Sequence, residues 1–370
     1  DLRYRGPTGM TAIPLTLTAP RRVIALLVVV ALVAGACGGV VRVTSSPTTS
    51  GEPVATPSLS SLPAPTPTAL ATATPTPTLE PTPPPVTPFF PCGEADPTCL
   101  SLVVAMQRDS EFTRPVACGT DGATCSLHVD TFAPPTTKRL PVVVMIPGGP
   151  VAPGIRGSMW TVARYVASRG AVVFTADYRS GPQWGGGYPQ TFADVGCAIR
   201  FARARAANLG GDPARITLVA HSFGGFPGSV TALSAHDFAT DEPECLVPLG
   251  DGRPDAFVGV GAIYGFDHIL PDFLAQMLGG TRDEAPEAWD ATDIAVLAAA
   301  PGHRTPAVHL IAGTEDLVAP VATADEFAVI LRDAGIDVVV TAVDGANHES
   351  VLSRPLTIDL IAELIGATGY

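Results

Sequence analysis

The sequence predicts an α/β fold: a mostly parallel central sheet of about eight strands with helices on both faces. Three observations predict it. From Cys92 onward, short β-branched runs alternate with longer helix-like stretches, the order that builds parallel sheets through helical crossovers. The runs are nearly continuous in apolar residues, as "VVVMI" and "AVVFTA" show, and strands covered on both faces need that. One run, "ITLVA" at 216–220, passes directly into "HSFGG" and then into a helix-like stretch.

Taken in order, strands are expected over 102–106, 127–132, 142–146, 171–176, 216–220, 256–263, 307–312 and 337–343. Each is a short apolar, β-branched tract of strand length. Helices are expected over 157–168, 191–208, 224–235, 322–334 and 356–364, where apolar residues recur among polar ones. The first strands have no helix between them, so they should form an antiparallel edge. Residues 92–370 suit one domain of this kind.

The first 91 residues read differently. Arg21-Arg22 precede the apolar block "VIALLVVVALV" at 23–33, followed by Ala34-Gly35-Ala36-Cys37. The block is short for a membrane span and is charged on one side only, the shape of an export signal over 1–36. Small residues before Cys37 resemble a bacterial lipobox, which would make Cys37 a lipid-attachment site and anchor the chain to a membrane. Ala34-x-Ala36 also fits an ordinary cleavage site and free secretion. Residues 37–91 are rich in Pro, Thr, Ser and Ala. Such a stretch buries too little apolar area to offset its ordering entropy, so a disordered tether is expected.

The formal charge is −13, from 22 basic and 35 acidic side chains. A nucleic-acid partner needs a basic face, and no such excess exists here. Beyond Cys37 stand Cys92, Cys99, Cys118, Cys125, Cys197 and Cys245. An even set in an exported chain suggests disulfides. Spacing favours Cys92–Cys99 and Cys118–Cys125 as local loops, leaving Cys197 with Cys245. No C-x-x-C or His pair suggests a metal.

The chemistry centres on "VAHSFGG". A strand that turns sharply into a helix forces its turn residue into strained backbone angles while exposing its side chain. Ala220 and Gly224, two places either side of Ser222, supply the small residues that close strand–helix contact needs. Ser222 is therefore the expected nucleophile, although a serine here also serves as a helix N-cap. A serine needs a base to take its proton and an acid to orient that base. Asp316 follows the strand 307–312, and His348 follows the strand 337–343. Both lie beyond the carboxyl end of a strand, the edge where Ser222 lies. Glu315 is an alternative acid, read as a solvated loop charge, and Asp344 is read as a turn former. His221 is expected to point away from the site, and His309 to be core or edge filler. Oxyanion donors are expected from the backbone of Phe223 and from Gly148 and Gly149, in "PGGP" after the strand 142–146. Pro150 has no N–H to give.

These stretches, with "TADYR" at 175–179 and "GANHES" at 345–350, resemble the α/β-hydrolase superfamily. Within it they are most similar to acetyl-esterase and hormone-sensitive-lipase-like carboxylesterases, including feruloyl-esterase-like members. The resemblance covers about 127–370. It implies an α/β-hydrolase fold with a small lid, and ester hydrolysis through an acyl-enzyme with no metal or cofactor. By position it makes Ser222, Asp316 and His348 the triad, and Gly148, Gly149 and Phe223 the oxyanion hole. Pro147 stands where the family has His, and Pro150 where it has a third Gly.

The expected function is a secreted or surface-anchored serine esterase acting on small-molecule or polysaccharide-linked esters. A peptidase of the same fold and an inactive, tethered binding protein are the alternatives. Residues 265–305, with Phe266, Leu270, Phe273, Leu274, Met277 and Trp289, are expected either as a lid over the acyl pocket or as ordinary core. Trp160 and Trp184 are candidates for the entrance.

Overall fold

A central sheet of nine strands organises the computed structural model, which describes residues 87–89, 104–136, 139–153 and 155–367. All of these belong to the unit Thr78–Tyr370. The expected export signal, the expected lipid site at Cys37, most of the expected tether and the expected Cys92–Cys99 pair lie outside the described residues. Among the described residues, no helix is long and apolar enough to cross a membrane.

The strands are β1 Thr87–Phe89, β2 Val104–Glu111, β3 Val116–Ala117, β4 Thr124–Cys125, β5 His128–Ala133, β6 Leu140–Ile146, β7 Val172–Ala176, β8 Gly211–His221, β9 Ala256–Val260, β10 Ala307–Gly313 and β11 Val338–Val343. The main sheet runs β1-β2-β5-β7-β6-β8-β9-β10-β11. As expected for strands without crossover helices, β1, β2 and β5 form an antiparallel edge, with β5 antiparallel to β7. From β7 onward every pairing is parallel. The strand β1 lies inside the Pro/Thr-rich segment read as tether up to 91.

The helices are α1 Trp160–Ser168, α2 Gln190–Ala206, α3 Gly225–Leu233, α4 Pro271–Leu278, α5 Pro286–Asp290, α6 Ile294–Ala299, α7 Val321–Asp333 and α8 Pro355–Leu364. The sheet separates two apolar layers. One packs β-strand side chains such as Val142, Val144 and Phe174 beneath residues of α2, α3 and α7. The other packs Val143, Met145 and Val219 beneath α1 and α8. All seven residues of β6 are buried, so its unbroken apolar run is what two covered faces require. Arg203 and Arg205 in the last turn of α2 complement its negative end.

Several boundaries differ from expectation, each for a local reason. The strand expected over 256–263 stops at Val260, because Gly261 takes φ +50° and sends its N–H to Ile311 O. A 3-10 turn, Arg156–Met159, precedes α1. The strand β8 begins five residues earlier than its apolar run, where Gly211 pairs with Leu140. Among the described residues, two disulfides are formed, Cys118–Cys125 and Cys197–Cys245. The first closes the β3–β4 hairpin. The second ties α2 to a loop 48 residues on, which in the chain-entropy account is worth about 4 kcal/mol.

Candidate active site

Ser222 stands at the end of β8 with φ +53°. For a residue with a Cβ this left-handed backbone costs about 1–2 kcal/mol, and the surroundings hold it there. The Ser222 carbonyl accepts the Ile263 N–H at 2.9 Å. A Cβ placed on Gly224 would stand 2.4 Å from Pro147 O, and one on Gly228 3.1 Å from the Ala220 methyl. Strand and helix are thus in contact through the small residues the turn needs.

The carboxyl ends of β10 and β11 bring in the two partners. Ser222 Oγ donates to His348 Nε2 at 2.9 Å, and His348 Nδ1–H donates to Asp316 Oδ2 at 2.9 Å. The Asp316 side chain is fully buried, and that of His348 is 15% exposed. Asp316 Oδ1 accepts the N–H groups of Val318 and Ala319, both at 2.8 Å. Burial alone would raise the Asp316 pKa. The His348 hydrogen bond and the two backbone donors outweigh it and hold the carboxyl below the usual range. The acid is therefore anionic at neutral pH and fixed on both oxygens.

Glu315 is exposed, and Asp344 Oδ1 instead accepts the Thr314 hydroxyl at 3.3 Å. Among other histidines, His236 pairs with Asp241 and His268 with Glu326. His221 corrects an expectation. It does not point away: its ring centroid lies 4.9 Å from that of His348, and Nε2–H donates to His348 O at 3.2 Å. The chain leaves β8 with the His221 side chain directed under the loop after β11. Burial, reinforced by His348, lowers its pKa to about 4, so His221 stays neutral beside the base.

Gly148 lies against Ser222, and Gly149 against Ser180 and Phe223. A Cβ on Gly148 would stand 2.8 Å from Ser222 Cβ and 3.2 Å from Oγ. One on Gly149 would stand 3.0 Å from Ser180 and 3.4 Å from the Phe223 ring. Phe223 is buried and meets Phe273 of α4 edge to face, centroids 5.8 Å apart. Within residues 265–305, Leu274, Met277 and Leu278 join the core, as the core reading expects, while Phe273 reaches the residue after Ser222. Leu317, next to Asp316, is 90% exposed.

Trp160, a candidate for the entrance, is taken up in a polar contact. Its indole N–H donates to Asp130 Oδ2 at 2.8 Å beneath the Arg108 guanidinium. Trp184 is half-buried in a 3-10 turn, Pro182–Trp184. Sequence reasoning missed Gly261, whose added Cβ would stand 3.1 Å from Asp316 Oδ2 and 3.7 Å from His348 Nδ1. It also missed Tyr178 and Ser180, although "TADYR" drew attention to that segment. A cavity of about 310 Å³ between β2, β5 and the end of α2, lined by Gln107, Thr131, Phe174 and Arg205, shares no residue with this site. Among the described residues, no group of His, Cys, Asp or Glu could hold a metal ion.

The fold recurs in solved esterases. The esterase Est2 of Thermogutta terrifontis, solved with butyrate, superposes with a TM-score of 0.52 at 23% identity, covering 69% of this chain and 94% of that one. The chain has the α/β-hydrolase fold. A carbohydrate esterase from gut microbiota superposes on it with a TM-score of 0.52 at 15% identity, over 71% and 95% of the two chains. The BD-FAE family model matches residues 129–247. Esterase LipC of Mycobacterium tuberculosis is 32% identical over 209 residues, 53% of this chain and 49% of LipC. The chain thus spans about half the length of that relative.

Proposed function

We propose that this chain is a serine carboxylesterase that works through an acyl-enzyme. One observation carries the proposal: a hydroxyl, an imidazole and a buried carboxylate stand in series at 2.9 Å and 2.9 Å. Ser222 Oγ attacks the ester carbonyl carbon as its proton passes to His348 Nε2. Asp316 stabilises the imidazolium through Oδ2. The oxyanion is received by backbone N–H groups of Gly148, Gly149 and Phe223, each good donor being worth about 3–4 kcal/mol. Collapse breaks the ester C–O bond, and the departing alcohol takes the proton from Nε2. Water then loses a proton to Nε2 and attacks the acyl-serine, releasing the acid and restoring Ser222.

The esterase names of the relative and the structural neighbour support this reaction class. The carbohydrate esterase among the neighbours supports small-molecule or polysaccharide-linked esters as substrates. In the same reading, residues 1–36 direct export, Cys37 carries a lipid anchor or the chain is freed by cleavage, and residues 37–91 form a tether. The chain then acts at or outside the cell surface.

The test is turnover of p-nitrophenyl acetate and butyrate by the full chain and by Ser222→Ala. Wild type should burst and turn over, and the alanine variant should lose at least about 10³-fold in kcat. A wild type no faster than Ser222→Ala would refute the esterase.

A further inference from the structure

The segment 177–180, Asp-Tyr-Arg-Ser, leaves the carboxyl end of β7 and has no place in the chemistry above. Its side chains alternate between two neighbours. Arg179 turns toward α2, donating from Nε to Asp194 Oδ2 at 2.8 Å and from an Nη to Asp194 Oδ1 at 2.7 Å. A second contact, at 2.5 Å, reaches Glu242. All three side chains are buried, so this group fastens the segment to the body of the domain.

The other three residues face the loop that follows β6. The Tyr178 hydroxyl donates to Pro147 O at 3.0 Å. Ser180 Oγ accepts the Val151 N–H at 2.8 Å and donates to Val151 O at 2.7 Å. Asp177 accepts the Arg156 N–H at 3.3 Å and its guanidinium at 2.6 Å. The first two ties fall immediately before and shortly after Gly148 and Gly149. Pro147 and Pro150 have no N–H, so this loop leans on its carbonyls and on side chains from outside. Tyr178 is buried, which raises its pKa and keeps the hydroxyl protonated as a donor.

We propose that Tyr178 and Ser180 are positioning residues that clamp the oxyanion loop, setting where Gly148 and Gly149 stand relative to Ser222. The clamp rests on the esterase reading and deepens it. Oxyanion stabilisation needs donors held within about 0.5 Å of the productive place, and two glycines between two prolines do not supply that stiffness alone. The loop is used when negative charge develops on the carbonyl oxygen, so loosening it weakens the transition state more than substrate binding. The triad, built on β8, β10 and β11, is left in place.

The experiment uses the full chain as wild type, Tyr178→Phe, Ser180→Ala and the double variant. Active enzyme is counted by titration with a p-nitrophenyl phosphonate, and folding is followed by Tm. Each single variant should lose about tenfold in kcat for p-nitrophenyl acetate, with KM within twofold and the midpoint of the pH–rate profile unchanged. The double variant should lose less than the product of the two, because both act on one loop. Single variants within twofold of wild type in kcat would overturn the clamp. So would losses that appear in KM alone or that shift the pH midpoint, which would place the damage in substrate binding or in the triad. Ser222→Ala is run beside them: its full inactivity with unaffected clamp variants defeats the clamp only, whereas full activity defeats the esterase and the clamp together.

Discussion

Replacing Asp316 by Asn tests the site at its most constrained atom. The carboxylate Oδ1 is held by two backbone donors, Val318 N–H and Ala319 N–H, both at 2.8 Å. An asparagine at 316 satisfies them only by placing its own carbonyl oxygen there. Its NH₂ group must then face His348 Nδ1, which at present donates to Oδ2 at 2.9 Å. Two donors cannot share that contact, so His348 becomes an acceptor at Nδ1 and carries its proton on Nε2. That nitrogen faces Ser222 Oγ at 2.9 Å and can no longer take its proton. The shape of the site is unchanged, but the tautomer is wrong. The equivalent change in a serine protease costs about 10⁴ in kcat, which corresponds to about 5.4 kcal/mol of transition-state stabilisation. Turnover of p-nitrophenyl acetate by Asp316→Asn should fall by that order, with KM within a few-fold. A variant within tenfold of wild type would show that Asp316 does not set the tautomer, and the relay as described would be wrong.

Two further outcomes follow from neighbouring residues. In Gly261→Ala, an alanine at φ +50° would carry about 1–2 kcal/mol of backbone strain, and its Cβ would press on Asp316 Oδ2 and Val351 at 3.1 Å; Tm should drop by several degrees and kcat by about tenfold, and an unchanged kcat would mean the acid–base pair has slack. His221 is neutral in the folded chain, with a pKa lowered by burial from 6.5 to about 4, so the unfolded chain binds the extra proton between those values and stability rises with pH from about 4 to 6.5. The window corresponds to about 3 kcal/mol. In His221→Gln, which keeps a donor for His348 O, urea unfolding should lose that part of the pH dependence; parallel curves for the two proteins would refute the assignment.

The sheet was legible because its central strands are buried on both faces, so "VVVMI" and "ITLVA" carry no charged residue to confuse the pattern. The order Ser222, Asp316, His348 was legible because each stands just past such a run, and strand ends are the easiest points to place on a sheet. What escaped was set by contacts between distant segments. The β3 and β4 strands have two residues each, too short for any periodicity, and β1 lies in a proline-rich tract with no apolar alternation. The run 256–263 looks continuous, yet Gly261 breaks it because the Asp316–His348 pair occupies the space above. The direction of His221 depends on the loop after β11, 127 residues away. The roles of Tyr178 and Ser180 left no mark in the sequence, because their partners, Pro147 and Val151, are set only by the fold.

The outermost strand β1 moves the margin of the sheet into the Pro/Thr-rich segment. Its Thr87–Phe89 backbone pairs with Val104–Met106, so the Pro/Thr-rich segment is stitched along the flank of the sheet at these three residues. Pro88 offers no amide hydrogen, and proline is tolerated only at such a margin, so the seam is also a hem that discourages a stranger chain from adding itself. Trimming the protein at Cys92, the obvious place on compositional grounds, would unpick that hem and leave the backbone of β2 bare.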